Sequence, residues 1–259
     1  MILKEILDVI NSYADERGAL EWDNSGLQIG EPLSEVYTVT VCLDVTDRVV
    51  QEALDNGSQL IISHHPLLFR GAKTITDDVR GKLIRKIIRN NLNVYSSHTC
   101  FDRSGYGMNA YSAFRLGIDT DCFLQNCSDS EGIGVCGDLS RECTLDEFCA
   151  LVKKTFGAAN LKVSAFASGG RILRRAAFCG GSGRDLISSA KNCGADVYVT
   201  SDVSNSGFIE AMELDMPLVT MTHFESEKSF IRIVSDILRK ELPSLGVFES
   251  SQGDLERWV

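Results

Sequence analysis

Apolar and polar positions follow two different periods along this chain, and the two periods alternate. Helical spacing of apolar residues predicts amphipathic helices, and short apolar runs bounded by turn residues predict buried strands. In the first half, helices are predicted over residues 2–17, 47–56 and 79–91, and strands over residues 36–43, 60–63 and 94–97. Alternation of strands with helices of this length is typical of an α/β fold with a largely parallel sheet.

The second half continues the same alternation. Thr144 and Glu147 have the spacing of a capping box, which predicts the start of a helix that runs to Phe156. Gly180-Gly-Ser-Gly183 is a glycine turn; it is interpreted either as a strand-to-helix connection or as a phosphate cradle. A last amphipathic helix is predicted over residues 224–242.

The two halves also resemble each other, which predicts an internal repeat. An offset of 137 aligns residues 41–65 with residues 178–202 without gaps, so that His64-His65 corresponds to Ser201-Asp202. At an offset of 125, the strand before His98 corresponds to the strand before His223. In both halves the histidine is followed four residues later by an acid. Two similar α/β lobes are therefore expected, although α/β units also look alike through composition alone.

Composition excludes several classes of protein. The net charge of −10 argues against a nucleic-acid binder, and the cluster of Arg171, Arg174 and Arg175 is expected to be a solvated surface. Nine cysteines without a Cys-x-x-Cys pair indicate neither a disulfide framework nor a structural zinc module, so a reducing cytoplasm is expected. The charged, amphipathic pattern of the first residues is not the pattern expected of a signal peptide, and no membrane span is expected, because no apolar run approaches the required length.

All four histidines of the chain lie at or just beyond predicted strand ends, where α/β sheets bind their ligands. Neutral imidazole is the commonest metal-binding side chain. The candidate ligands are His64, His65, His98, Asp102, His223 and Glu227, with Asp202 near them. This set exceeds the three protein ligands of one catalytic zinc and fits a centre of two ions better. Zinc, iron, manganese, cobalt and nickel all suit mixed nitrogen and oxygen donors.

Different roles are expected within this set. Glu227 is predicted to bridge the ions, Asp102 to bind one of them, and the histidines to be terminal ligands. His98 is assigned to proton transfer or to orienting a neighbouring ligand or substrate. Asp202 is expected to act as a base at the rim or, alternatively, as a helix N-cap. Glu225 is interpreted as a first-turn acid of the last helix.

Several segments together resemble the GTP cyclohydrolase 1 type 2 homologues, also called NGG-interacting-factor-three-like proteins. The matching segments are Trp22-Asp-Asn-Ser-Gly-Leu-Gln-Ile-Gly30, Ile61-Ile-Ser-His-His-Pro-Leu-Leu-Phe69, Val94-Tyr-Ser-Ser-His-Thr-Cys-Phe-Asp102, Tyr198-Val-Thr-Ser-Asp202 and Thr222-His-Phe-Glu-Ser-Glu227. They are spread over nearly the whole chain. The chain departs from the family at Cys100-Phe101, where Asn-Leu is common, and it lacks the extra domain that some members carry.

The resemblance implies two similar α/β lobes with the second inserted into the first and a metal site between them. The first lobe is then expected over residues 1–125 and 224–259, and the second over residues 126–223. The resemblance also implies a ring-shaped homohexamer and a centre of two divalent ions. In the family, positions matching His64, His65, Asp102, His223 and Glu227 hold these ions.

Three functions are weighed on this basis. The first is a metal-dependent hydrolase that uses metal-activated water on a nucleotide-like or other anionic substrate, with Asp202 or His98 moving the proton. The second is a non-catalytic protein that handles metal, by insertion or as a chaperone, or serves as a regulatory scaffold. The third is a nucleotide-binding module built on Gly180-Gly-Ser-Gly183 and Arg184, but no complete phosphate-binding motif is present.

Overall fold

A computed structural model describes residues 1–128 and 130–256 of the chain. Contacts divide the chain into two compact units. The first unit consists of Met1–Phe101 and Ser229–Gln252, and the second of Asp102–Lys228 and the C-terminal stretch that starts at Gly253. The expected lobe boundaries at 125/126 and 223/224 stay a prediction; the division by contacts falls at 101/102 and 228/229.

The helices and strands of the described residues are numbered here in chain order. The helices are α1 (Leu3–Tyr13), α2 (Asp47–Asp55), α3 (Val79–Arg89), α4 (Thr99–Arg103), α5 (Met108–Leu116), α6 (Leu145–Phe156), α7 (Ile187–Asn192), α8 (Asn205–Glu213), α9 (His223–Glu227) and α10 (Ser229–Glu241). The strands are β1 (Gly26–Ile29), β2 (Thr38–Cys42), β3 (Leu60–Ser63), β4 (Asn93–Ser96), β5 (Ile118–Asn126), β6 (Gly132–Thr144), β7 (Lys162–Val163), β8 (Ile172–Phe178), β9 (Val197–Ser201), β10 (Leu218–Met221) and β11 (Gly246–Glu249).

The first unit is built on a five-stranded sheet in the order β1-β4-β3-β2-β11. Strands β2, β3, β4 and β11 are parallel, and β1 pairs with β4 in the antiparallel sense. Every residue of β3 and β4 is buried, as expected of parallel strands covered on both faces. Val50 of α2 and Ile87 of α3 pack in one apolar cluster with Ile61 and Val94 of the sheet.

Parallel pairing sets where the three central strands of this sheet end. Cys42 is paired with Ser63, and Ser63 with Ser96, so β2, β3 and β4 end at the same edge. The three segments that follow these strands, residues 43–44, 64–65 and 97–98, therefore lie side by side. His64, His65 and His98 lie just beyond this edge.

The second unit is built on a six-stranded sheet in the order β5-β6-β8-β9-β10-β7. Strands β8, β9 and β10 are parallel, and the others pair in the antiparallel sense. Phe148 and Val152 of α6 pack in an apolar cluster with Phe178 and Val199, and Ile187 of α7 belongs to a second cluster. The pairing of Ser201 with Met221 aligns the ends of β9 and β10, while β8 ends two residues earlier, at Phe178 opposite Val199.

The fold class is confirmed as mixed α/β with two sheets. The internal repeat and the insertion of one lobe into the other stay predictions. Strand β3 has the predicted bounds, and the predicted capping box begins α6, where Thr144 Oγ1 accepts from the Glu147 N–H. The prediction of one helix over 224–242 is wrong, because α9 ends at Glu227 and α10 begins at Ser229. None of the helices described is both long and apolar enough to span a bilayer.

Candidate functional site

Three histidines of the first unit form a cluster at the edge where β2, β3 and β4 end. His64 and His65 directly follow β3, and His98 lies two residues beyond β4. The ring centroids are 4.9 Å apart for His64 and His65, 5.0 Å for His64 and His98, and 5.6 Å for His65 and His98. One ring nitrogen from each lies within 4.8 Å of those of the other two. The strand ends at this point, which allows both adjacent residues to face one place.

Each ring of this imidazole cluster is held through its Nδ1 atom. His64 Nδ1 lies 2.9 Å from the Ser97 carbonyl oxygen, which can only accept, so Nδ1 carries the proton. A neutral His64 ring therefore presents its lone pair at Nε2. His65 Nδ1 and His98 Nδ1 lie 2.8 Å from the carboxylates of Asp44 and Asp23, respectively. Metal-binding histidines are commonly oriented in this way by an oxygen acceptor at the second nitrogen.

The Asp23 carboxylate is bound on several sides. Burial alone would raise its pKa, but His98 and the hydroxyls of Thr99 and Ser25 overcome this effect and hold the pKa well below its usual range. The Thr99 N–H also donates to Asp23. The carboxylate therefore stays ionised and fixes both the His98 ring and the loop that carries Asp23.

In the second unit, a histidine and a glutamate lie one turn apart on α9. His223 Nε2 is 2.9 Å from Glu227 Oε2, and His223 Nδ1 is 2.6 Å from Asp202 Oδ2. Burial by itself would lower the pKa of His223, but the hydrogen bonds to Asp202 and Glu227 raise it to about 11. In the protein without metal, this imidazole is protonated at neutral pH. A cation at Nε2 would take the place of that proton.

Asp202 lies immediately after β9 and has the left-handed backbone conformation, with φ 54°. Its carboxylate accepts hydrogen bonds from Ser182 Oγ and from the His223 ring. These bonds lower its pKa, the bond to His223 having the largest effect. The alternative role as a helix N-cap is wrong, since α8 begins at Asn205 and its N-cap is Ser204. The role of base or proton shuttle stays a prediction.

The glycine turn after β8 supports α9. Gly181 has φ +67°, and a Cβ atom at this position would lie 2.2 Å from Glu227 Oε1. Its N–H donates to Ser226 Oγ, and the N–H groups of Gly180 and Gly183 donate to side chains of the same unit. Three backbone donors of the turn are thus used internally. This pattern favours the interpretation as a plain turn over a phosphate cradle.

Asp102 lies on α4, four residues after His98. Its backbone carbonyl accepts from Asn109 Nδ2 at 2.9 Å. Burial raises the pKa of the Cys179 thiol, and the nearby carboxylates of Asp102 and Glu227 raise it further. A carboxylate oxygen of Asp102 lies within 4.8 Å of one of Glu227 within the second unit.

The arginines singled out in the sequence pair with acids on the surface. Arg171 contacts Asp215, Arg174 contacts Glu142, and Arg175 contacts Asp121 and Asp138. These carboxylates compensate the charges of the arginines, which favours the interpretation as a surface of ion pairs over an anion-binding site. Glu225 is a first-turn acid as predicted, but of the short helix α9 and not of the last helix, and it forms a capping box with Thr222.

Sequence reasoning missed the two carboxylates that orient His65 and His98. Asp44 follows β2, the parallel neighbour of β3, so the rule that ligands gather at strand ends could have identified it. Asp23 lies in a loop, and no periodicity points to it. Its only signal is its place in the segment Trp22-Asp-Asn that carries part of the family resemblance.

The residues of both units fit a divalent metal ion. Imidazole nitrogens and carboxylate oxygens are the donors that zinc, iron, manganese, cobalt and nickel share. The cluster in the first unit offers three oriented rings, and α9 in the second unit offers one ring and one carboxylate. The absence of a side chain at Gly181 leaves the space that the Glu227 carboxylate uses.

Comparisons with known proteins agree along almost the whole chain. The family model Duf34/NIF3 (NGG1p interacting factor 3) matches residues 1–254. The chain is 32% identical to "GTP cyclohydrolase 1 type 2 homolog" of Clostridium perfringens over 247 residues, with 94% of each chain covered. It is 32% identical to "GTP cyclohydrolase 1 type 2" of Helicobacter pylori, with 92% of this chain and 91% of that protein covered.

Solved structures show the same fold. A Bacillus cereus protein related to NIF3 has a TM-score of 0.91 at 24% identity, with 100% of this chain and 99% of that chain covered. Reduced HcgD from Methanocaldococcus jannaschii has a TM-score of 0.86 at 26% identity, with 97% of this chain and 98% of that chain covered.

Proposed function

Since the chain belongs to the Duf34/NIF3 family, we propose that it is a metal-dependent hydrolase acting on a nucleotide-like or other anionic substrate. The observation that carries this proposal is the imidazole cluster, in which three rings are each oriented by an oxygen acceptor at Nδ1. An oxygen acceptor at the nitrogen that does not face the ion is the usual way in which metal-binding histidines are oriented, and here three neighbouring rings share this arrangement.

The proposed ligands are His64, His65, Asp102, His223 and Glu227. Five ligands are more than one ion requires, so these residues would hold two divalent ions. Bound divalent cations supply Lewis acidity, which activates water at neutral pH and polarises the group under attack.

The remaining side chains orient the ligands and move protons. Asp44 holds the His65 ring, and Asp202 holds the His223 ring. His98 is the proposed proton carrier, because Asp23 holds its Nδ1 and leaves Nε2 as the nitrogen that can exchange a proton. Asp202 is the second candidate for this role.

The substrate class rests on charge and on the relatives. In a chain of net charge −10, bound cations would provide the positive field that an anion needs. The name of the Helicobacter pylori relative specifies GTP, which makes GTP the first substrate to test. Attack of water on a purine ring carbon is the reaction that this name implies.

The test compares metal-loaded wild-type protein with two ligand variants. GTP and other nucleotides are offered to protein loaded with manganese, zinc or iron, and products are separated by chromatography. His64→Ala and Glu227→Ala are expected to lose bound metal and turnover together, whereas Glu213→Ala, a change at an exposed acid, should keep both. Turnover that is unchanged in Glu227→Ala would rule out the mechanism.

A second candidate is a protein that binds and releases metal without catalysis, as an insertion protein, a chaperone or a regulatory scaffold. The observation in its favour is that the His65 and His223 side chains are 24% and 33% exposed, so solvent and a competing chelator can reach them. Rapid exchange of bound metal with a chelator, without turnover of any nucleotide, would favour this candidate over the hydrolase.

We also propose that the chain assembles into the ring-shaped hexamer that the family resemblance implies. Light scattering on the eluting protein should give a mass near six times the 28.4 kDa of one chain. A monomer at micromolar concentration would contradict this proposal and leave the ligand assignment untouched.

A further inference from the structure

Two large aromatic side chains are exposed beside the imidazole cluster. Trp22 is 59% exposed and Phe69 is 38% exposed. Their ring centroids are 5.9 Å apart with an interplanar angle of 57°, and each lies 6.0 Å from the His98 ring. The three rings therefore form one aromatic corner at the edge where β3 and β4 end.

The loop that carries Trp22 is fixed on both sides of the indole. On one side, the Leu20 N–H donates to Thr99 Oγ1 at 2.9 Å. On the other side, Asp23 is bound by His98 and Thr99. Hydrogen bonds thus hold the backbone on both sides of Trp22, while its indole ring stays exposed to solvent. A fixed, exposed ring of this kind is suited to contact a ligand.

The same loop is fastened to the turn that carries Phe69. Asn24 Nδ2 donates to the Leu68 carbonyl at 2.8 Å, and the Leu68 N–H donates to Gln28 Oε1 at 3.1 Å. These bonds fix the distance between the two aromatic residues. Rigid aromatic rings that are arranged in advance bind a ligand at a low entropic cost.

We propose that Trp22 and Phe69 form a binding site for a planar nitrogen heteroaromatic ring, such as a nucleobase. A flat ring can stack on the face of one aromatic side chain while its edge meets the other, as the tilt between the two rings requires. As a substrate subsite this inference rests on the proposed function, because the stacked ring would lie beside His98. Two side chains alone offer far less area than a stable protein interface buries, which favours a small ligand.

The test uses tryptophan fluorescence, since the chain has two tryptophans, Trp22 and Trp258. In the Trp258→Phe background, Trp22 is the sole tryptophan and reports on its own surroundings. Guanosine should quench its emission in a saturable way, whereas ribose 5-phosphate, which lacks the aromatic ring, should not. Equal responses to the two probes, or no response to guanosine, would overturn the proposal.

Variants separate stacking from a general effect on the fold. Phe69→Ala should weaken guanosine binding about tenfold, the loss of one stacking partner. Calorimetry should give a similar loss for Trp22→Leu. Tyr37→Ala, which removes another exposed aromatic ring of the same unit, should bind guanosine as the wild type does. If Trp22→Leu changes the oligomeric mass and leaves guanosine binding intact, the pair serves a contact between chains and the proposal is wrong.

The same fluorescence measurement on metal-free protein distinguishes the aromatic binding site from the proposed hydrolase function. Stacking on Trp22 does not require the ions, so guanosine should still quench in His64→Ala and in chelator-treated protein. Quenching without any turnover of metal-loaded protein would support the aromatic site and count against the hydrolase. Turnover without quenching would count against the aromatic site alone.

Discussion

At the scale of single residues, the Nδ1 atom of every histidine lies at hydrogen-bond distance from an oxygen atom, which orients the ring. An imidazole binds metal at one nitrogen, and its partner at the other nitrogen decides which one that is. A carbonyl has this role for His64, and carboxylates have it for His65, His98 and His223.

Asp202→Asn is expected to weaken metal binding about tenfold, because the neutral amide orients the His223 ring less strongly and no longer increases its basicity. Asp215→Asn is the matched control, since Asp215 also has a left-handed backbone, with φ 48°, but pairs with Arg171. Competition with a coloured chelator measures both affinities. Equal losses in the two variants would mean that the effect comes from the backbone and not from the ring.

Gly181→Ala combines two costs, a left-handed backbone and a Cβ atom that would collide with the Glu227 carboxylate. Gly57→Ala has only the first, because Gly57 has φ +66° and nothing within 4 Å of the added atom. Gly57→Ala should lose about 1 kcal/mol of stability, and Gly181→Ala about 1–3 kcal/mol more together with bound metal. Chemical unfolding and metal stoichiometry provide the comparison; similar values for the two variants would contradict the role given to Gly181.

At the scale of elements, the returning helix α10 supports the imidazole cluster of the first unit. Its Phe230 is buried, and the ring lies 5.0 Å from both His64 and Phe101. A residue near the end of the chain thus packs against His64, a proposed metal ligand from the first quarter of the chain. Helix packing and ligand orientation are coupled at this contact.

Phe230→Leu should cost about 1 kcal/mol of stability and also weaken metal binding, because the His64 ring loses a flat neighbour. Phe148→Leu, at a buried position on α6 in the second unit, should cost a similar free energy without changing metal affinity. Thermal unfolding and metal titration of both variants test this. An equal effect on metal affinity would mean that stability alone controls binding.

At the scale of the whole molecule, the charges that orient the rings link stability to pH. The pKa of Asp23 in the folded protein lies below its ordinary value of 3.8. Its contribution to stability is therefore complete above that ordinary value and is lost as the pH falls through the lower folded value.

Metal-free wild-type protein should accordingly lose stability steeply between about pH 4 and pH 2, and Asp23→Asn should lose less over the same interval. The exposed change Asp8→Asn provides the control, since Asp8 pairs with Lys4 on the surface. Urea unfolding at fixed pH values measures the free energies. Parallel curves for wild type and Asp23→Asn would show that Asp23 is not the group responsible.

The local pattern was sufficient to predict much of the fold. β3 has its predicted bounds because an apolar run that ends at His-His-Pro identifies a buried strand by itself. The predicted helix over 2–17 is shorter in the structure, since α1 ends at Tyr13 and a 3-10 turn follows at Glu16–Gly18. The break at Lys228 was not predicted, because the helical periodicity of apolar residues continues through it. The division between the two units falls at the same place, and this is a tertiary property that the local pattern does not contain.

By itself the sequence determined the α/β class, the family and the residues offered as metal ligands, because strand ends and residue types are local properties. Only the tertiary structure identified the partners of those residues: Asp44 behind His65, Asp23 behind His98, and Gly181 beside Glu227. These pairs are 21, 75 and 46 positions apart in the chain. Sheet register and loop packing bring such distant residues together, and no local pattern encodes which strand lies next to which.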